Sequence, residues 1–185
     1  MGRDEERCIE ARRLRLIDEA FRLGDVNALR AAVEDPDVVP NGPMPLAIGP
    51  CLVYAVYHSP LPFIRELLAL GADPDRDDGD GFPPLMAALG GLRPQAGAPG
   101  RADALDVLAM LLEYGANPDV RGINDWTPLH MAVSQDSAAA ARLLLVHGAD
   151  PMLRTRIDNY DTAREYAETR GLHELSRLLA EAEAR

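Results

Sequence analysis

The sequence predicts an all-α solenoid of about five helix-turn-helix units with hairpin fingers, two of the units being caps. Three observations carry that prediction. One ending recurs along the chain: Leu67-Leu68-Ala69-Leu70-Gly71-Ala72-Asp73-Pro74, Leu111-Leu112-Glu113-Tyr114-Gly115-Ala116-Asn117-Pro118 and Leu144-Leu145-Val146-His147-Gly148-Ala149-Asp150-Pro151. The recurrence keeps a fixed period, the signature of a repeat architecture. And only 5% of residues are aromatic against 47% hydrophobic, so the core is built from Leu, Ala and Val, which suits close-packed helices better than a β-sandwich.

The period is 33 residues. Gly115 and Gly148 are 33 apart, while Gly71 and Gly115 are 44 apart. Leu52 and Leu85 are again 33 apart, and Leu85 and Leu129 are 44 apart. An insertion therefore lies after Leu89 and before Asp103, and the register survives it. At 185 residues the chain suits one domain with a sizeable core.

Taken in order, residues 1–41 read as a charged helical extension and an N-terminal cap, with Leu16, Ile17, Ala20, Phe21, Gly24, Val26 and Leu29 in register. Residues 42–80 form a repeat, 81–123 a repeat carrying an inserted loop at 90–102, 124–157 the clearest repeat, and 158–185 a C-terminal cap. Within a unit, Gly follows the second helix where a left-handed backbone is needed. The next Asp-Pro or Asn-Pro sends the chain extended into a turn. Thr127 is placed to cap a helix whose first residue is Pro128, a position where the missing N–H matters least. Ala55, Ala88 and Ala132 keep one helix face small enough for a neighbour to approach closely. The outer face of the last unit carries Arg177, Glu181, Glu183 and Arg185, as a terminal unit facing water should.

The run Asp125-Trp126-Thr127-Pro128-Leu129-His130-Met131-Ala132, followed by Ala141-Arg142-Leu143-Leu144-Leu145-Val146-His147-Gly148-Ala149-Asp150, resembles the ankyrin repeat family. Asp125 stands where that pattern has Gly. The Thr-Pro-Leu-His tetrad becomes Pro83-Pro84-Leu85-Met86 in one unit and Pro50-Cys51-Leu52-Val53 in another. The resemblance covers essentially the whole chain. It implies that His130 braces the turn between neighbouring repeats, and that function is non-catalytic binding of a protein through the fingers and the inner, first helices. The candidate contacts it implies are Tyr54, Tyr57, His58, Met131, Ser134 and Gln135 on inner helices. On the fingers they are Asp75, Arg76, Asp77, Asp78, Asp80, Arg121, Asn124, Arg154 and Arg156. The two tyrosines either meet a partner, as exposed tyrosines on rigid scaffolds do, or pad the stack. Trp126 is expected to pack between adjacent fingers.

The formal net charge is −11 and the sequence pI about 4.7. That acidity disfavours a phosphate backbone and favours a basic protein partner. All 19 basic residues are Arg, which reads as the codon usage of a GC-rich bacterial genome. The charged start lacks a signal-peptide pattern, and no apolar run approaches a membrane span. A cytoplasmic monomer without membrane contact is the expectation. Cys8 and Cys51 suggest neither a disulfide framework nor a zinc site, and no cofactor is expected.

Chemistry is weakly signalled. Phosphate loops, nucleophile elbows and zincin motifs are absent from the sequence. The run Asp73 to Gly81 begins like a calcium loop, but Asp78 stands where the loop needs Gly and Pro84 where it needs Glu. Two narrower readings remain beside the binding module: an acidic inhibitor or immunity protein neutralising a basic enzyme or toxin, and a metal binder or enzyme using the acidic finger or the inserted loop.

Overall fold

The computed structural model describes residues 3–42, 44–45, 49–76, 81–93, 100–156 and 160–184. Among them ten α-helices form five antiparallel pairs: α1 (Arg3–Leu23) with α2 (Val26–Ala32), α3 (Cys51–His58) with α4 (Leu61–Ala69), and α5 (Pro84–Gly90) with α6 (Ala104–Glu113). The last two pairs are α7 (Pro128–Ser134) with α8 (Ala138–Val146), and α9 (Ala163–Thr169) with α10 (His173–Glu183). This is the all-α solenoid predicted. Most of these helices are seven to eleven residues long, too short to persist alone in water, so tertiary packing must hold them.

The packing is one-dimensional. In the inner row α3 contacts α1 and α5, and α7 contacts α5 and α9; in the outer row α4, α6, α8 and α10 follow one another. Ala55, Ala88, Ala132 and Ala167 are fully buried along the inner row, with Leu52, Leu85 and Leu129 beside them. The missing side-chain bulk brings neighbouring helices close, and the leucines fill the space between rows. One continuous core results, running from Ile17 to Leu179. Cys51 lies inside it, burial pushing its thiol up to about 12, whereas Cys8 is exposed; both are free.

Second helices end as the sequence implied. Gly115 and Gly148 have φ of 91° and 90°, and the following amides, Ala116 and Ala149, each donate to the carbonyl five residues back at 3.0 Å. A Cβ added at either glycine would meet open space. Backbone strain, not crowding by neighbours, therefore selects glycine there.

Helix starts differ from expectation at one point. Thr127 occupies the cap of α7 with Pro128 behind it, yet its hydroxyl makes no bond to the helix backbone. It lies instead 2.8 Å from His130 Nδ1, and His130 Nε2 lies 2.9 Å from the Asp161 carbonyl in the next unit. A neutral ring that donates from Nε2 must accept the threonine proton at Nδ1. Thr162 makes a true capping box with Glu165, and Arg154 clamps that same carboxylate at 2.7 and 2.9 Å. Glu183 also departs from its expected outward position. It is partly buried and paired with Arg164 at 2.6 Å, because α10 turns that face onto α9. Arg185 lies outside the described residues.

The fingers are joined by a ladder of side chain to backbone bonds. Asp73, Asn117 and Asp150 each accept from the amide two residues on, closing a turn. Each of their own amides donates to the preceding unit: to Asn41 at 2.8 Å, Asp75 at 2.8 Å and Asp119 at 2.9 Å. Every finger is thus tied to its neighbour by an acceptor two residues beyond a turn or within one.

The insertion is anchored at both ends. Arg93 reaches forward to Asp136 at 3.1 Å. Arg101 clamps Asp103 at 2.6 and 2.9 Å and reaches back to the Val56 carbonyl at 2.8 Å. Residues 94–99 lie outside the described residues.

Two outcomes are expected. Burial, opposed by the Asp161 carbonyl, holds the His130 ring below the ordinary histidine value of 6.5. The unfolded chain then takes up the proton first, so this stability is intact above pH 6.5 and is lost as the pH falls below it. His130→Ala should cost about 1–3 kcal/mol at neutral pH and flatten the loss of stability below pH 6.5, both read from urea unfolding. Asp119→Ala, which orphans the Asp150 amide, should cost about 1 kcal/mol by the same measurement.

Candidate partner-binding surface

The inner-helix residues divide sharply. On α3, Tyr54 is half-buried: its ring lies 4.8 Å from Phe21 and 4.3 Å from His58, and its hydroxyl donates to Asp18 at 2.7 Å. Asp18 accepts from Arg22 one turn on, at 2.9 and 3.0 Å. The Arg22 bond is the chief reason the Asp18 carboxyl sits below the usual carboxylate range, with the tyrosine bond adding to it. Burial, then the bond to Asp18, pushes the Tyr54 phenol up to about 12. Tyr54 therefore ties the first helix pair to the second.

Tyr57 and His58 stay open. Tyr57 is 46% exposed, with burial of the rest of its ring raising its phenol. His58 packs one face on Tyr54 and lies 6.2 Å from the Tyr57 ring. Burial, then the nearby Arg22 charge, holds His58 below 6.5, so at neutral pH it presents a neutral ring. Both side chains stand on a helix whose carbonyl at Val56 is held by Arg101, next to the base of the insertion.

Met131 and Gln135, expected on the open face, are only 8% and 9% exposed. Both point into the stack because α7 packs α5 on one side and α9 on the other. Ser134 is partly exposed, but its hydroxyl donates back to the Met131 carbonyl at 2.8 Å, and its own carbonyl accepts from Arg170 at 3.0 Å. Trp126 packs on Tyr166 of the last unit at 5.4 Å.

Several finger charges already bond within the chain. Asp75 carries the Asn117 amide, and Arg76 donates to the Asn41 carbonyl. Arg121 donates to the Asp125 carbonyl and carboxylate and to the Arg154 carbonyl, at 2.8 to 3.1 Å. Arg154 is bound to Glu165 and to the Tyr160 carbonyl. Arg156 is fixed through its backbone amide on Asp125 at 3.0 Å while its guanidinium stays largely in solvent. Asn124 is exposed in a left-handed conformation, φ 58°, which suits Asn. Asp77, Asp78 and Asp80 lie outside the described residues. Among those described, no three His, Cys, Asp or Glu side chains gather where they could hold a metal ion.

Sequence reasoning missed Asp18, Arg22, Arg101 and Arg170. Their signal is faint: an Arg four residues after Asp, or a lone Arg whose target carbonyl is dozens of residues away. The ladder residues Asn41, Asp75 and Asp119 were more legible. Asp73-Pro74-Asp75 and Asn117-Pro118-Asp119 repeat one acidic spacing.

The comparisons with known proteins agree with this geometry. The family described as "Ankyrin repeats (3 copies)" matches residues 52–155 and again 98–185. An ankyrin repeat-containing protein of Treponema pallidum is 33% identical over 109 residues, 58% of this chain and 33% of that protein. The Ankyrin repeat and LEM domain-containing protein 1 homolog of Caenorhabditis elegans is 38% identical over 77 residues, 38% of this chain and 11% of the relative. Human 2-5A-dependent ribonuclease is 45% identical over 53 residues, 28% of this chain and 7% of that enzyme. The chain thus spans a third or less of the length of these relatives. No helix among the described residues is long and apolar enough to cross a membrane. With stacked helix pairs, glycine-ended outer helices, bonded fingers and a family match from residue 52 to 185, the chain belongs to the ankyrin-repeat family.

Proposed function

We propose that the chain is a non-catalytic module that binds a protein partner through its inner helix ends and fingers, with Tyr57 and His58 as the central contact. Ankyrin repeats are in general protein–protein interaction modules, and that supports the class of function. One observation carries the choice of surface: Tyr57 is 46% exposed on a short helix whose every other large apolar side chain packs inward. A rigid aromatic with little rotamer freedom to lose is the kind of side chain that anchors interfaces. The finger charges act differently. Asp75, Arg121 and Arg154 are already bonded, so they hold the fingers in register and set the local potential rather than offering free ionic contacts.

A net charge of −11 favours a basic partner, through faster encounter more than through tighter contact. The narrower reading, an acidic inhibitor covering a basic enzyme or toxin, rests on that same charge. The catalytic alternative draws no support from Asp73, Asp75 and Asp119, whose carboxylates accept structural backbone bonds.

The test is capture from native extract with a photo-crosslinking residue at position 57, followed by purification of the captured protein and titration. Tyr57→Ala should weaken that partner by about tenfold or more while costing only about 1 kcal/mol of stability for its half-buried ring. Association should slow as salt is raised. A partner that binds the Tyr57→Ala, His58→Ala double variant as tightly as the unchanged chain would sink this surface. Failure to recover any specific partner at any salt would sink the reading itself.

A further inference from the structure

The two ends of the stack are built differently. A unit face that no described neighbour covers should be polar. The C-terminal unit obeys, exposing Glu174, Arg177 and Glu181 along α10. The N-terminal unit does not. On α1, Ile9 is 50% exposed, Leu16 47% and Leu23 70%. These three are spaced by seven, so they fall on one face and form a stripe about 21 Å long. Leu16, Glu19 and Leu23 also line one wall of a groove of about 360 Å³ between α1 and α2, with Ala28 and Ala31 on the other.

The stripe is symmetric about Leu16, since Ile9 and Leu23 each lie seven residues from it. Its charges are antisymmetric about the same point. Arg12 lies four residues before Leu16 and Glu19 three residues after, and helical geometry places both on the same flank of the stripe. Among the described residues neither side chain has an ion partner.

We propose that α1 is a self-association surface, pairing antiparallel with α1 of a second copy about a two-fold axis at Leu16. The two-fold sets Ile9 against Leu23 of the second copy and Leu16 against its equivalent. It also sets Arg12 against Glu19 of the second copy, twice, as an isologous interface requires. A parallel pairing in register would instead put this flank beside the opposite flank of the second copy, bringing Arg12 nearest Arg13 and Glu19 nearest Ala20. The charge pattern is thus complementary to a second copy in the antiparallel direction and not in the parallel one. The alanines of α2 let the second helix settle toward the groove. This interface is separate from the Tyr57 and His58 surface, so a dimer would present two copies of that surface.

Sedimentation equilibrium and light scattering decide the matter, with the monomer expected from the sequence as the competing result. The chain should associate reversibly to twice its 20.1 kDa mass. Leu16→Glu should weaken the dimer by about a hundredfold or more, by placing two unpaired charges at its centre. Arg12→Glu should weaken it by about tenfold, each of two rim pairs turning from attraction to repulsion. The double variant Arg12→Glu, Glu19→Arg should recover the original constant. Circular dichroism must show each variant folded, which exposed positions allow. A chain monomeric at its highest soluble concentration overturns the proposal. So does a dimer indifferent to Leu16→Glu, a swap that fails to rescue, or a stripe occupied only by a different protein.

Discussion

The structure rests on one constraint: no unit can bury its own apolar face. A pair of helices seven to eleven residues long has neither the propensity nor the internal contacts to persist. Each pair becomes stable only when its neighbour covers it. Ala55, Ala88, Ala132 and Ala167 make that covering possible, because each stands where a larger side chain would hold adjacent inner helices apart. Everything else in the molecule follows from how the chain meets this demand five times over.

Close stacking creates a second problem, since helix ends and finger turns bring backbone polar groups together at each junction. The chain solves it by borrowing acceptors and donors from the next unit. Asn41, Asp75 and Asp119 receive finger amides, His130 reaches the Asp161 carbonyl, and Arg101 and Arg170 reach carbonyls near the ends of α3 and α7. Asp75, Asp119 and Asp125 are acidic for this structural work. A reading that assigns every exposed charge to a partner overstates the free electrostatic surface, because a carboxylate already bonded to an amide gives up part of what it could offer elsewhere.

Function follows from what that accounting leaves over. Tyr57 is 46% exposed and is proposed with His58 as a contact, and the apolar stripe of α1 is left uncovered by the stack. The two features lie on different parts of the N-terminal half and suit different occupants. The first is a compact aromatic contact on a rigid helix end. The second is a long apolar helix face, proposed to pair with its own copy.

The sequence by itself determined the period, the helix ends and the place of the insertion, because these depend on local chemistry. Glycine at a left-handed position, proline after Asp or Asn, and alanine at a fixed offset each act on the few residues around them. It could not assign exposure within a helix. Met131 and Tyr54 occupy equivalent places on inner helices, yet the first is almost wholly buried and the second only half-buried. Nor could it reveal that Thr127 serves His130 rather than its own helix, or that Arg101 holds a carbonyl 45 residues away. Those pairings arise only when separate units stack, since long-range contacts depend on which surfaces the neighbours happen to cover. The ankyrin stack was legible from residue spacing, and the surfaces available to a partner were decided by the tertiary structure.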